Sequence, residues 1–368
     1  MNRNRLTLLV TAALFAAVTT EGQAQGIGGL TPSQKTPPNR AGTRGANFLE
    51  LPIGARANAM GGAVSSFVDD GSALYWNVAG LAAAEQFSAM VTRQNLYTNL
   101  DIRQNFASAA LPLLGGAIGV SVNALNSGDI PRTSEGSPYG SNVLGQTFQW
   151  TATAISLGYA RRITDRLDVG FAGKYIGEGI SNARTSWGAL DFGTQFRTGI
   201  YGLVIGAAIQ NVGPASTATG HGVQVVSDND NFSNRTVSVQ LPTRETDVAT
   251  VYRFGIGLDV LGGASSLFGQ KFGANNTLIG EMAVNDAIDT APQLAFGAEY
   301  GFRNLLFLRG GKRFYNDDRA TGTQGMFGLS GGVGVRLPVR GRGVRFDYGY
   351  TSMGDLDNVQ VFTFELGR

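Results

Sequence analysis

Few side chains of this sequence have the chemistry that catalysis or metal binding requires. His221 is the only histidine, and the chain contains no cysteine. A histidine-based catalytic triad or a site of paired His and Cys ligands therefore cannot be assembled. Disulfides, thiol chemistry and lipid attachment at a cysteine are excluded as well. We expect no enzymatic activity, no metal site and no other cofactor.

Two further segments resemble binding motifs without matching them. Residues 228–231, with the sequence DNDN, are rich in oxygen atoms but lack the glycine and the bidentate glutamate of a calcium loop. We predict a solvated turn there. The glycine pair Gly61-Gly62 does not lie between a strand and a helix, as a phosphate-binding loop would. The pair therefore gives no support to nucleotide binding.

The charge of the chain gives no sign of an anionic partner. The formal net charge is +2, and charged residues make up 15% of the chain, against about 25% in soluble domains. One basic cluster stands out, consisting of Arg336, Arg340, Arg342 and Arg345. We predict that it forms a solvated turn between two strands, and we expect no nucleic-acid partner.

The first residues have the pattern of a secretory signal peptide. Arg3 and Arg5 precede an apolar run over 6–18, and small residues follow up to Ala24. We predict cleavage after Ala24, which makes 1–24 the signal peptide. A run of about 13 apolar residues is too short for a membrane anchor, and no later run approaches the roughly 20 that a helical span needs. Export then leaves the periplasm, the outer membrane or the exterior.

The remainder of the chain alternates between apolar and polar residues. Tyr252, Phe254 and Ile256, for example, alternate with Arg253 and Gly255. Such strands have one apolar face and one polar face. Soluble sandwiches alternate too, but their strands usually have about 5–6 residues, whereas these have about 10 or more, enough to cross a bilayer at a tilt. We therefore predict an all-β fold, a transmembrane antiparallel β-barrel in the outer membrane.

The pattern predicts about 14 strands, an even number as in single-chain bacterial barrels. They cover residues 87–97, 101–112, 115–126, 147–161, 165–180, 185–198, 200–212, 248–261, 274–286, 291–302, 304–315, 324–338, 342–352 and 357–367. Short turns follow the even-numbered strands, and the long connections 127–146, 213–247 and 316–323 follow odd ones. The connection 261–273 is an exception, and 235–241 is placed in a loop. The predicted organisation is a flexible tether over 25–47, a non-barrel segment over 48–86 and a barrel over 87–368.

The segment 48–86 carries a specific resemblance. It contains GARANAMGGA from Gly54, a pair of aspartates, and YWNVAGL from Tyr75. This pattern resembles the N-terminal signature of the PorV/PorQ family of outer-membrane proteins, whose fold is similar to that of the FadL fatty-acid transporter. The matching residues are Gly54, Arg56, Met60, Gly61, Gly62, Asp69, Asp70, Trp76, Asn77 and Gly80. Val78 stands where the family has proline, and Gly80 supplies the permissive backbone of a turn.

The resemblance implies a 14-stranded barrel whose N-terminal segment plugs the lumen as a hatch. The residues themselves favour the same arrangement, because Arg56, Asp69, Asp70 and Asn77 are too polar for lipid. Charged side chains of both signs are expected on the inner faces of the strands, namely Asp168, Lys174, Glu178, Asp191, Glu281, Glu299 and Arg309. Charges in a lumen must be paired or hydrated. We therefore expect structural ion pairs in preference to ligand contacts.

The last strand is the expected assembly signal. Phe362 and Phe364 lie on one face of a strand that ends in Gly367-Arg368 instead of an aromatic residue. Outward-facing aromatic residues near the end of the chain are what barrel-assembly machinery generally recognises. We predict that this machinery and the lipids of a Gram-negative outer membrane are partners of the chain, with Phe364 as the main signal.

Three functions remain open. PorV-like proteins act in type IX protein secretion, so the resemblance implies an accessory component that binds secretion components and the C-terminal domains of exported cargo, with loops 127–146 and 213–247 as contact surfaces. The second function is a FadL-like channel for hydrophobic small molecules, with Trp150, Ile176 and Trp187 as candidate pocket walls. The third is a purely structural barrel. The resemblance favours cargo handling.

Overall fold

The alternating segments form the strands of one closed barrel. The computed structural model describes residues 42–97, 100–133, 146–227, 237–240, 243–263, 265–269, 275–314, 328–339 and 342–367. The barrel strands are β1 (Ser88–Leu96), β2 (Ile102–Leu113), β3 (Gly116–Asn126), β4 (Trp150–Arg162), β5 (Leu167–Ile180), β6 (Ala183–Arg197), β7 (Leu203–Val212), β8 (Val251–Leu261), β9 (Thr277–Ala287), β10 (Gln293–Phe302), β11 (Leu306–Phe314), β12 (Leu329–Val339), β13 (Arg342–Ser352) and β14 (Asn358–Leu366).

Each strand pairs antiparallel with its neighbours in sequence, and β1 closes the barrel against β14. In that seam Ala89 lies opposite Leu366 and Asn95 lies opposite Gln360. A closed sheet has no edge, so its backbone N–H and C=O groups are paired without water, as a bilayer requires. The predicted number and order of strands are confirmed. The predicted ends differ from the observed ones by at most three residues wherever both are described.

Two short ribbons lie in the long connections, apart from the barrel sheet. Ile130–Pro131 pairs with Thr147–Phe148, and Gln224–Ser227 pairs with Val237–Gln240. Part of the segment 235–241, predicted to be loop, is therefore a strand, because a partner segment within the same connection supplies its hydrogen bonds. A short 3-10 helix at His221–Val223 precedes the second ribbon.

The two ends of the barrel differ. At the end where β1 begins and β14 finishes, short connections join the strands, such as 114–115 and 303–305; we call it the turn end. At Leu114-Gly115 both residues have positive φ, which suits the twist of a two-residue hairpin. The opposite, loop end carries the connections 127–149 and 213–250. This division is the predicted one, and the connection between β8 and β9 is the long exception at the turn end.

The outer surface of the barrel is apolar. Outward positions hold large hydrophobic side chains, among them Val122, Ile155, Leu157, Phe171, Tyr175, Leu190, Phe192, Leu308, Phe346 and Phe362, each more than 40% exposed. In water such a surface would drive association, whereas in a bilayer it is the lipid-facing band. Among the described residues, no helix has both the length and the apolar character needed to cross a membrane.

The N-terminal segment lies inside the lumen. It contains a 3-10 turn at Asn47–Glu50, helices α1 (Ala55–Ala59) and α2 (Ala73–Trp76), and a 3-10 helix at Val78–Ala83. It begins at the loop end, where Gly45 bridges to Val248, and leads into β1 at the turn end. The hydrophobic core is formed between this hatch and the inner wall, with Trp76, Met60 and Leu74 fully buried. The hatch thus fills the inside of the barrel, as a hydrophobic core fills the inside of a soluble protein.

Candidate functional site

Arg56 fastens the hatch to the inner wall of the barrel. Its Nε donates to Glu299 Oε2 over 3.0 Å and its Nη2 to Glu299 Oε1 over 3.3 Å, while Nη1 lies 3.0 Å from Asp69 Oδ1 and 3.6 Å from Asp70 Oδ2. The residue is only 8% exposed. A buried guanidinium needs several acceptors, and α1 places Arg56 where the hatch and β10 supply them. The predicted structural pairing is observed.

Asp70 makes a second connection to the wall. Its Oδ1 accepts hydrogen bonds from the Ser72 backbone and hydroxyl, and its Oδ2 lies 3.3 Å from Arg345 Nη2. Burial would raise the pKa of the Asp70 carboxyl, but the charges of Arg56 and Arg345 outweigh burial and hold that pKa below its ordinary value. Asp70 therefore stays ionised and keeps both partners.

The wall continues these contacts into one turn-end ion network. Arg345 pairs with Glu365 over 2.7 Å and with Asp347 over 2.8 Å, and Arg309 pairs with Asp347 over 2.7 Å and with Glu299. The network joins the hatch to β10, β11, β13 and β14. Arg345 was predicted to belong to a solvated turn. That prediction is wrong for this residue, because Arg345 lies on the inward face of β13 and is 5% exposed. It is also wrong for Arg336, which lies within β12 opposite Arg345.

The motif glycines allow the backbone of the hatch to reach the wall. Gly61 and Gly62 follow α1 with φ of 66° and 86°, a left-handed conformation that ends the helix. A Cβ on Gly62 would lie 2.5 Å from Arg313 Nη2. Gly54 also has positive φ, whereas Gly80 does not. At Gly80 the requirement is space, since a Cβ would lie 2.3 Å from the Val68 carbonyl oxygen.

Trp76 and Asn77 hold the second half of the hatch. Trp76 Nε1 donates to the Ile53 carbonyl over 2.8 Å, and the Arg253 guanidinium lies 4.3 Å from its ring centroid, a cation–π arrangement. Asn77 accepts from Ala79 N and thereby caps the 3-10 helix. Its Nδ2 donates to the Thr194 carbonyl of β6 over 3.0 Å. Both motif residues are therefore structural supports of the hatch.

The other inward acidic and basic side chains named from the sequence also have polar partners. Lys174 Nζ lies 2.8 Å from Asp191 Oδ2 and 2.7 Å from Asn211 Oδ1, next to an irregularity in the register of β6 and β7. Asp168 pairs with arginines of β4 and β6. Glu178 and Glu281 accept backbone N–H groups of the hatch, at Ala46 and Ser66. All seven side chains predicted to point inward do so.

An apolar cluster lies at the loop end of the lumen. There the first turn of the hatch packs into what we call the loop-end cluster, formed by Phe48, Leu49, Leu96, Leu125, Ile176, Trp187, Val359 and Val361. Ile176 and Trp187 are buried and Trp150 packs against them, which is where the sequence placed candidate pocket walls. Trp187 Nε1 donates to the Thr246 carbonyl over 2.8 Å. The lumen thus has an apolar cluster at the loop end and an ion network at the turn end.

A cavity lies beside this cluster, between the hatch and the wall. Its volume is ≈ 180 Å³, and its lining includes Asn47, Glu50, Leu51, Pro52, Asn58, Gln94, Leu96, Gln293, Arg313, Thr351, Met353 and Val359. Asp289, in the connection between β9 and β10, accepts a hydrogen bond from Asn47 of the same lining over 3.1 Å. Burial and the charge of Asp289 raise the pKa of Glu50 to about 8. Sequence patterns gave no sign of this cavity.

The remaining predicted residues lie elsewhere. His221 is exposed in the connection between β7 and β8, and Phe362 and Phe364 lie on the outer surface. The signal peptide 1–24, the tether up to residue 41, residues 228–231 and Arg340 fall outside the described residues. Within the described part of the chain, no group of three or more His, Cys, Asp and Glu side chains is arranged to hold a metal ion.

A closed antiparallel barrel that is apolar outside, lined inside by polar and charged side chains and plugged by its own chain defines an outer-membrane β-barrel protein.

The toluene transporter TbuX of Ralstonia pickettii has a similar structure, with a TM-score of 0.51 and 13% identity over 85% of this chain and 97% of its own. The toluene transporter TodX of Pseudomonas putida aligns with a TM-score of 0.51 and 11% identity, over 85% of this chain and 96% of its own. The CymD monoaromatic hydrocarbon channel aligns with a TM-score of 0.50 at 11% identity, over 85% of this chain and 96% of its own. The FadL-like fold is thereby confirmed. No family profile and no curated protein matches the chain.

Proposed function

We propose that this chain is an outer-membrane channel for small hydrophobic molecules, closed by its hatch in the conformation described here. The observation that carries the proposal is the loop-end cluster, an apolar inner wall at the end of the lumen with the long connections. Such a wall suits an apolar solute, since polar solutes would lose hydrogen bonds there.

The first turn of the hatch occupies the position that such a solute would take. Phe48 and Leu49 are 1% and 2% exposed and pack against Ile176 and Trp187. A solute entering from the loop end would replace contacts of Phe48 and Leu49 with the same wall. The barrels of similar fold include proteins named toluene transporters, which supports the solute class without identifying the solute.

Quenching of tryptophan fluorescence tests this proposal. Bromobenzene should quench the purified chain in detergent with a saturable component, because Trp187 and Trp150 line the site. Ile176→Asn should weaken that component several-fold. The matched control is Tyr175→Asn, one residue away on the lipid-facing side, where the side chain is 61% exposed. Absence of a saturable component, or equal effects of the two substitutions, would contradict the proposal.

A second candidate is an accessory role in type IX protein secretion, as the PorV/PorQ resemblance implies. The observation that favours it is the hatch motif itself, from Gly54 to Gly80, which agrees with that family and not merely with a barrel fold. Co-purification from outer membranes distinguishes the two. A secretion component retains cargo C-terminal domains on the tagged chain, whereas a hydrocarbon channel does not. Neither candidate involves catalysis.

A further inference from the structure

The cavity beside the loop-end cluster has the size of a single-ring compound. Its ≈ 180 Å³ compares with about 150 Å³ for an apolar protein cavity that binds benzene. Leu51, Leu96 and Val359 give it apolar surface, and Gln94 and Thr351 add an amide and a hydroxyl. A bare hydrocarbon would match only the apolar residues.

Two polar side chains of this lining, Glu50 and Gln94, have a buried oxygen without a hydrogen-bond partner. Gln94 is the more deeply buried of the two. It is 0% exposed, and its Nε2 donates to Gln104 Oε1. Gln104 Nε2 in turn donates to the Phe48 carbonyl over 3.3 Å and to Asn123 Oδ1 over 2.9 Å. The Phe48 carbonyl sets the orientation of both amides, since a reversed Gln104 would point its oxygen at that carbonyl oxygen.

With that orientation fixed, Gln94 Oε1 accepts no hydrogen bond from any described residue. A buried acceptor without a donor costs about 1–3 kcal/mol, and the large majority of buried polar atoms have a partner. The missing partner is therefore a donor, and the cavity is the space beside Gln94 from which a ligand could supply one.

The charges of the lining indicate that this ligand is neutral. The cavity is lined by one basic side chain, Arg313, and one acidic side chain, Glu50. The guanidinium Nε of Arg313 already donates to the Gly61 carbonyl over 2.9 Å. Because its pKa is raised to about 8, Glu50 is protonated at neutral pH and offers no negative charge to an ammonium ligand. The guanidinium of Arg313 is already engaged by the hatch, so the lining favours a neutral ligand.

We infer that this cavity binds a neutral, hydroxylated single-ring compound such as a phenol, whose ring packs against Leu96 and Val359 and whose hydroxyl donates to Gln94 Oε1. The inference rests on the proposed channel function and narrows its solute class from hydrocarbons to their hydroxylated relatives. Gln104 acts as a positioning residue. Its Oε1 accepts the hydrogen bond from Gln94 Nε2, so that Gln94 Oε1 points away from the Gln104 side chain.

Phenol and toluene are a suitable pair of probes, because they differ only by a hydroxyl in place of a methyl group. Titration calorimetry on the full chain in detergent should give, after correction for water-to-hexadecane partition, tighter binding of phenol. In Gln94→Leu the ratio of phenol to toluene affinity should fall roughly tenfold, since one hydrogen bond is lost. Asn95→Leu removes an amide from the opposite face of the same strand and should leave the ratio unchanged.

The outcomes separate the two levels of the argument. If both probes bind and the ratio is the same in the unchanged chain and in Gln94→Leu, the hydroxyl inference is wrong and the channel proposal stands. If neither probe binds, both are wrong. The comparison of phenol with toluene, corrected for partition, can be made on the unchanged chain alone. If the unchanged chain prefers toluene, the inference is wrong, whether or not Gln94→Leu folds.

Discussion

The guanidinium of Arg56 and the carboxylate of Glu299 form a buried two-point ion pair, with N–O distances of 3.0 and 3.3 Å, between residues 243 positions apart in the chain. The pair fastens the hatch to β10. Because Glu299 also pairs with Arg309, and Asp70 also pairs with Arg345, the turn-end ion network survives in part when Arg56 is removed.

Arg56→Ala should therefore loosen the hatch without preventing barrel closure. Breaking a buried pair costs about 3–5 kcal/mol. We expect the lower end because Glu299 and Asp70 each keep another arginine and the side chain of Asp69 is 31% exposed. Single-channel conductance in planar bilayers should rise, and the temperature at which the barrel unfolds on gels should fall. Arg166→Ala, at an exposed pair in a turn, should change neither. Unchanged conductance and heat stability in Arg56→Ala would refute the role of the hatch contact.

Gly193 and Gly188 provide a matched test of how closely the hatch approaches β6. A Cβ on Gly193 would lie 2.1 Å from Asn77 Oδ1, which is a steric overlap. A Cβ on Gly188 of the same strand would meet nothing within 4 Å. Gly193→Ala should displace Asn77 and destabilise the protein by about 1–3 kcal/mol. Gly188→Ala should stay within about 0.5 kcal/mol. Equal unfolding temperatures of the two variants would show that the hatch does not contact β6 at Asn77.

The strands could be predicted from the sequence because lipid and lumen impose a strict period of two on each strand. Arg345 could have been placed in the lumen by the same rule, since Phe346 beside it faces outward. Where two adjacent residues of a strand are both apolar, as Tyr175 and Ile176 are, the alternation does not show which of them faces the lumen. There the sequence could name candidate pocket walls but could not establish which of them face inward.

The partners of the hatch could not be predicted, because they depend on its path through the lumen. The motif indicated that Arg56 and Asp70 need counter-charges, and the inner faces offered several. Which of them are used is decided by backbone contacts such as Met60 against Gly297 and Gly311, which no local pattern encodes. The cavity beside Gln94 has the same origin, since it is the space that the hatch leaves unfilled.

Glu50 predicts a pH dependence of the hatch. Burial, together with the charge and hydrogen bond of Asp289, raises the pKa of Glu50 from 4.5 to about 8, while Arg253 and Thr290 oppose the shift. The folded chain therefore holds a proton more tightly than the unfolded chain. The stabilising contribution is complete below about pH 4.5 and is lost as pH rises through about 8.

The measurement is the unfolding temperature between pH 6 and pH 9. It should fall with rising pH in the unchanged chain, and Glu50→Gln, which cannot ionise, should flatten that fall. Glu85→Gln replaces an exposed glutamate that follows the hatch and should leave the profile as it is. If the profile of Glu50→Gln is the same as that of the unchanged chain, the pKa of Glu50 is not raised by folding.

The last strand allows assembly and hatch docking to be tested separately. Phe364 is 38% exposed on the outer surface and packs on Phe346, with 4.9 Å between ring centroids. Thr363 is 4% exposed, and its hydroxyl accepts a hydrogen bond from Ala55 N over 2.9 Å.

Phe364→Ser should reduce outer-membrane insertion, measured by fractionation and heat-modifiable gel migration, because it removes a lipid-facing aromatic residue near the chain end. Thr363→Ser keeps the hydroxyl and should be tolerated in both assays. Thr363→Val should insert normally but unfold at a lower temperature, because it leaves the Ala55 N–H without its acceptor. Equal insertion of Phe364→Ser and Thr363→Ser would show that recognition by the assembly machinery does not depend on Phe364.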